Sequence, residues 1–520
     1  MQTKSIKILW VDDEMDLLKP YIIFLEKKGY DVATATNGSD AIDLVKNNAY
    51  DIIFLDENMP GFSGLETLTR IKEINNIIPV VMITKSEEES IMDEAIGSRM
   101  ADYLIKPVKP NQILLSIKKN VENKELVTKK TTSAYQMEFS KLGMQINDSF
   151  SISDWKEVYR KLVFWEMELS NSDDKAMDDV ILFQKNEANQ AFNRFVKKNY
   201  LDWLKTEKEE RPILSPDLFR KKIFPLLDKK MKVFVLLIDN LRYDQWRAIS
   251  PLMCENYSIA SDDMYFSILP TATMYARNSI FAGLMPADIK KIHPNCWDDD
   301  DNEEGGKNNF EEELLTKQLI RNGRKEKLYF EKMTTAKQGL KSNESISQII
   351  HSDLSVMVIN SIDMISHART EMNMIKELAG NEAAYRALSA NWFQHSGLKE
   401  LLKELSNNNI EVIVTTDHGT IKVNNAVKVI GEKSTNSNLR YKLGRNLNYN
   451  PKEVFEIRKP EDARLPSPNL SSSYIFAMNQ DFFVYPNNLN YFANFYKNSF
   501  QHGGISMEEM IIPVIQLHPR

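Results

Sequence analysis

Cysteine is almost missing. The 520 residues contain only Cys254 and Cys296. Two cysteines so far apart supply neither a disulfide framework nor a Cys-x-x-Cys metal clip, and they fit a reducing compartment. A long apolar run is missing too. The longest is VFVLLI at 233–238, far short of the ~20 residues that a helix needs to cross a bilayer. The opening MQTKSIKILWVDDEMD brings in charge at once and has no apolar core before a small-residue cleavage site. A secretory signal is therefore not expected. Neither sign of charge dominates: 66 Lys and Arg against 73 Asp and Glu leave −7. That argues against a general polyanion binder, and no basic recognition segment supports a DNA-binding regulator. A soluble, cytoplasmic chain is expected.

What remains is ordinary globular material. Hydrophobic residues at 42% and charged residues at 27% exclude collagen-like and wholly disordered chains. At roughly 150 residues per domain, the length allows about three to four domains. Residues 1–121 alternate apolar runs (IKILWV, DVATAT, DIIFL, PVVMIT, ADYLI) with amphipathic stretches. This pattern predicts a parallel sheet covered by helices on both faces. Over 122–210 the strand signal stops. Trp155, Val158, Tyr159 and Leu162, and again Ala188, Ala191, Phe192 and Phe195, follow helical spacing. A helical bundle acting as a spacer or dimerisation element is expected. From 211 to 520 the α/β pattern returns, and polar stretches near 287–345 and 424–473 are candidate lids or insertions.

The first domain holds one constellation. Asp12 and Asp13 end the first strand, Asp56 the third, Thr84 the fourth and Lys106 the fifth. In a parallel sheet these carboxyl ends meet. Clustered carboxylates call for a hard divalent cation such as Mg²⁺, and Lys106 could hold a phosphoryl oxygen. These residues resemble the response-regulator receiver domain. The resemblance implies a flavodoxin-like fold, with Asp56 as the phosphoacceptor and Asp12 and Asp13 as the acidic pair. It also implies a Mg²⁺ ligand from the backbone carbonyl of Asn58, Thr84 and Tyr103 as switch residues, and a cis Lys106–Pro107 bond. A sensor histidine kinase is the implied phosphoryl donor.

The C-terminal part holds a second constellation. Asp239 ends VFVLLID, Asp363 and His367 form Asp-x-x-x-His, Asp417 and His418 follow EVIVTT, and His502 lies in QHGG. Thr271 and Thr273 lie where an extended stretch meets a helix. Such O and N donors fit two zinc sites, and two metals about 4 Å apart can clamp an in-line phosphoryl displacement. A threonine hydroxyl is a poor nucleophile unless a metal or a helix N-terminus lowers its pKa. LLIDNLRYDQW, LPTATMYARNSIFAGLMP, TTDHGT and QHGGISMEEMIIPVI resemble the PglZ branch of the alkaline phosphatase superfamily. The resemblance implies one metal site of Asp239, Thr273, Asp417 and His418, and another of Asp363, His367 and His502. Thr273 is the favoured nucleophile and Thr271 its competitor. Arg277, one helical turn after Thr273, is either a phosphate holder or an ordinary surface arginine.

Receiver, helical spacer and PglZ domain, in that order, resemble the PorX-type response regulators. That resemblance implies a regulator of type IX secretion with a sigma factor and secretion-motor proteins as partners. A zinc-dependent phosphodiesterase acting on a nucleotide or oligonucleotide phosphodiester is expected, in a phosphorylation-dependent homodimer. The competing class is a catalytically silent, metal-stabilised module that binds protein partners on phosphorylation. The acidic run 298–306 fails the spacing of a calcium loop. The basic run RYKLGRN at 440–446 is expected to be solvated surface.

Overall fold

A computed structural model describes residues 6–75, 78–85, 100–148, 151–170, 175–205, 211–297, 309–333, 343–371, 380–432, 435–469 and 471–520. The acidic run 298–306 lies outside them. Contacts divide the chain into two compact units: Met1–Tyr135 with Ser172–Asp174, and Gln136–Asn171 with Lys175–Arg520. No described helix is long and apolar enough to cross a membrane.

The first unit is built on β1 (Lys7–Val11), β2 (Asp31–Ala35), β3 (Ile52–Asp56), β4 (Val80–Thr84) and β5 (Asp102–Ile105). All pairs are parallel, in the order β2-β1-β3-β4-β5. The strand period of two explains the two cores. Leu9, Val11, Ile53 and Leu55 join one apolar cluster, while Ile8, Trp10, Ile52 and Phe54 join the other. Helices Met15–Lys27, Gly38–Asn47, Gly64–Ile74 and Pro110–Ile117 supply the remaining layers. This is the expected flavodoxin-like order, and it sets the carboxyl ends of β1, β3, β4 and β5 along one edge.

The second unit centres on a six-stranded sheet containing β6 (Val233–Ile238), β7 (Tyr257–Phe266), β8 (Leu328–Met333), β9 (Leu354–Ile359) and β10 (Glu411–Thr415). The order is β7, the C-terminal strand Ile511–Pro519, β10, β6, β9, β8. The C-terminal strand runs antiparallel to both neighbours, and β10, β6, β9 and β8 run parallel. Every residue of β6, β9 and β10 is buried, as expected for central parallel strands. Because those three are adjacent, the loops leaving their carboxyl ends share one crevice.

Helices Ile152–Ser170 and Lys175–Lys205 fall within this unit. Their aromatic stripe buries against β7 as well as against itself. The Trp155 and Phe192 rings are 5.3 Å apart, and Phe192 and Trp203 lie 6.1 and 5.7 Å from Phe266. The basic run of the insertion differs from expectation. Arg440 and Lys442 are 0% and 1% exposed. A buried carboxylate claims the first, and the backbone oxygen of Asn436, 2.9 Å away, accepts from the second.

Candidate functional site

The first unit brings Asp12, Asp13 and Asp56 together, with one oxygen of each within 4.8 Å of the others. Lys106 Nζ lies 2.9 Å from Asp12 Oδ2 and 2.8 Å from Asp56 Oδ1. Burial pushes the Asp56 carboxyl above its usual range, and the Lys106 ammonium works against that rise. Thr84 is buried at the end of β4, Tyr103 is 40% exposed on β5, and Asn58 is exposed two residues past β3. The Lys106–Pro107 bond is cis. Three oxygen donors beside one lysine suit a hard dication with room for a phosphoryl group.

The crevice of the second unit holds two donor groups. Asp239, Asp417 and His418 form one, and Asp363, His367 and His502 form the other. Asp239 and Asp417 follow β6 and β10 directly or by one residue, and Asp363 lies in the first turn of the helix Ser361–Glu371 after β9. His418 and His502 tie the groups together, with their rings stacked at 4.3 Å.

The imidazoles are oriented as metal ligands require. His418 Nδ1 lies 3.2 Å from the oxygen of Gly419, and His502 Nδ1 lies 3.1 Å from that of Thr271. A donated Nδ1–H on each ring leaves both Nε2 lone pairs facing the crevice. Burial, with help from His502, holds His418 down at about 4, so it is neutral and able to ligate at neutral pH. Asp239 Oδ1 is buried without a hydrogen-bond partner. Burial drives the Asp239 carboxyl well up, and Asp417 and Asp363 add to the rise against Arg277. Asp363 goes the other way: burial opposes its ionisation, but His367, His502 and His418 outweigh it. An orphaned buried carboxylate oxygen beside imidazole nitrogens turned into the crevice fits a borderline-soft dication such as zinc.

The two threonines differ. Thr273 opens the helix Thr273–Ala282, and its Oγ1 lies 3.0 Å from His418 Nε2. Its hydroxyl therefore sits among the donors and at the positive end of a helix. Thr271 is fully buried. Its hydroxyl donates to the Gly504 oxygen at 2.9 Å and accepts from the Gly503 amide at 3.0 Å. It holds the segment that carries His502.

Arg277 is no surface arginine. It is fully buried. Its guanidinium pairs with Asp239, with Asp417 at 2.9 Å and with Glu311 at 3.5 Å, and donates to Asn360 at 3.2 Å. The i to i+4 spacing from Thr273 brings it back over the strand ends. With its nitrogens shared among those groups, it orders the first donor group.

Two contributors carry little signal in the sequence. Asn240, in the left-handed region at φ 63°, donates from Nδ2 to Asp363 Oδ1 at 3.1 Å. It thereby joins Asp239's loop to the second group. Glu509 accepts from the Gly504 amide at 2.9 Å and from Arg440 Nη2 at 2.6 Å. The pair with Ser506, whose hydroxyl accepts from the Glu509 amide at 3.1 Å, was a readable signal, because Ser-x-x-Glu is a helix-start pattern.

Comparison with known proteins covers most of the chain. Residues 218–517 match the BREX system PglZ alkaline phosphatase-like domain. Residues 125–204 match the PorX response regulator linker domain, and 8–118 the response regulator receiver domain. Among curated relatives, transcriptional regulatory protein ResD of Bacillus subtilis is 35% identical over 117 residues, 22% of this chain and 48% of that one. SrrA of Staphylococcus aureus is 32% identical over 114 residues, covering 22% and 47%. The chain thus spans about half the length of the curated relatives it matches. Among solved structures, a receiver domain protein from Clostridium thermocellum is 28% identical, with a TM-score of 0.22, over 23% of this chain and 98% of that one. A two-component response regulator from Clostridium difficile is 31% identical, with a TM-score of 0.21, over 22% and 93%.

Proposed function

This chain belongs to the PglZ alkaline phosphatase-like family, in the receiver–linker–PglZ order of a PorX-type response regulator, and on that premise we propose that it is a phosphorylation-regulated, zinc-dependent phosphodiesterase acting on a nucleotide-type substrate. One observation carries the reading: Thr273 Oγ1 stands 3.0 Å from His418 Nε2, at a helix N-terminus and beside two donor groups.

Asp239, Asp417, His418 and Thr273 would hold one zinc, and Asp363, His367 and His502 the other. Bound zinc would supply a lowered hydroxyl pKa and charge neutralisation at the phosphate. Thr273 Oγ1 attacks phosphorus in line, and the first alcohol leaves. Water then displaces threonine, releasing the phosphate monoester. Two inversions give net retention at phosphorus. Arg277 keeps Asp239 and Asp417 in register. Thr271 and Glu509 keep His502 facing the crevice.

In the receiver, Asp56 takes the phosphoryl group from a sensor histidine kinase, and Asp12, Asp13, Asp56 and the Asn58 carbonyl would hold the Mg²⁺ that offsets its charge. Thr84 and Tyr103 relay the change, which favours a symmetric homodimer in the cytoplasm. Sizing with and without a phosphoryl mimic checks this step. An unchanged mass over a wide concentration range counts against the dimer.

A second reading has one observation on its side. Arg277 already places a positive charge between Asp239 and Asp417, so the fold can balance that group without turnover. The domain would then be a binding module for partners such as a sigma factor or secretion-motor proteins. Zinc-loaded protein assayed with a chromogenic diester and with short linear and cyclic oligonucleotides separates the two. No turnover at full zinc occupancy, with Asp56 phosphorylated, supports the binding module.

A further inference from the structure

We propose that the linker helices belong to the metal centre's scaffold, with Asn189 and Lys185 positioning the segment that carries His502. The inference rests on the two-metal reading above.

The short helix Met507–Met510 follows His502 by five residues. Asn189, 2% exposed on the helix Lys175–Lys205, grips it twice. Its Oδ1 accepts from the Met507 amide at 2.8 Å, and its Nδ2 donates to Glu508 Oε2 at 3.0 Å. Lys185, one turn earlier, lies 3.3 Å from Glu508 Oε1 and 2.7 Å from Glu166 Oε2 on the other linker helix. Glu166 pairs in turn with Arg386 at 3.1 Å, and Arg386 with Asp244 at 3.3 Å. All of these groups are buried. Buried charges and amides left unpaired are costly, so the partners hold each other in one geometry.

The gripped helix touches both donor groups' loops. The Gly419 amide, next to His418, donates to the Glu509 oxygen at 3.2 Å. A Cβ on Gly419 would meet the Glu508 oxygen at 2.0 Å. On the other side, Glu509 accepts from the Gly504 amide two residues past His502. A shift of Met507–Met510 therefore pulls on the chain two residues past His502. Asn189 and Lys185 touch no donor, so they are positioning residues.

The test uses the full chain, titrated with Zn²⁺ alone, together with amide hydrogen exchange at Met507 in metal-free protein. Gln184→Ala is the control, because Gln184 donates to the Phe139 oxygen within the linker. Asn189→Ala is expected to lose protection at Met507 and to bind one of two zinc ions about tenfold or more weakly. Gln184→Ala is expected to keep both ions at wild-type affinity. Asn189→Asp sets a carboxylate against Glu508 and should weaken zinc likewise. Adding Glu508→Gln reverses the bond's direction and should restore affinity. If Asn189→Ala does not fold, the Asp and Asp/Gln variants carry the test. Wild-type zinc affinity in Asn189→Asp, or an equal loss in Gln184→Ala, overturns the proposal. A wild type that binds two zinc ions but cleaves no diester refutes the hydrolase reading alone. A wild type that binds no zinc overturns both.

Discussion

Thr273 Oγ1 and His418 Nε2 face each other at 3.0 Å across the crevice, whereas the Thr271 hydroxyl is spent on Gly503 and Gly504. The two hydroxyls should therefore fail differently. Thr273→Ala is expected to lower kcat by about a thousandfold or more and to leave the fold intact, since Ala272 holds the cap position. Thr271→Val is expected to cost about 1–3 kcal/mol in stability, because it strands a buried amide and a buried carbonyl. Its activity loss should be partial and should ease at higher zinc. Steady-state kinetics beside thermal melts check both.

Arg277 lies against Asp239 and Asp417. Arg277→Met is expected to destabilise metal-free protein by about 3–5 kcal/mol, as it leaves two buried carboxylates unpaired. Zinc then becomes the remaining positive charge, so the rise in Tm on adding zinc should be larger in the variant than in the wild type. An equal or smaller rise would place zinc elsewhere. Calorimetry with and without the metal reads this.

Asp263 on β7 ties helix Ile152–Ser170 to the sheet, with Lys156 at 2.9 Å and Lys222 at 2.8 Å. Burial disfavours its ionisation, but Lys222 and Lys156 outweigh burial and hold the carboxyl down at about 2 from 3.8. A depressed carboxyl stabilises the fold fully above pH 3.8 and stops doing so as pH falls towards about 2. Lys156→Met should thus lower Tm at pH 6, and its difference from wild type should shrink across that window. A difference constant from pH 6 to pH 2 would contradict the assignment. Melts at stepped pH supply the comparison.

Much of this was readable because parallel strands report their own ends. Asp239, Asp363 and Asp417 each follow a wholly buried apolar run, and β10, β6 and β9 are neighbours. The receiver's Asp12, Asp56 and Lys106 were legible for the same reason. Side chains working across long sequence gaps were not. Arg440 reads as part of a basic surface run, yet its partner Glu509 lies 69 residues away. For Arg277, spacing gives a helix face but not what covers it. The linker stripe looked like bundle core, since nothing local says that Phe192 meets Phe266. Asn240 gave a weak sign at best, because a left-handed asparagine after a strand also serves as a plain turn.

The most direct measurement is a rapid quench of the zinc-loaded protein with a slowly hydrolysed diester, followed by peptide mass mapping. The expected result is a phosphoester adduct on Thr273 that forms and decays with turnover, and that is missing in Thr273→Ala. Turnover with no adduct on Thr273, or with the adduct on Thr271, would contradict the assignment.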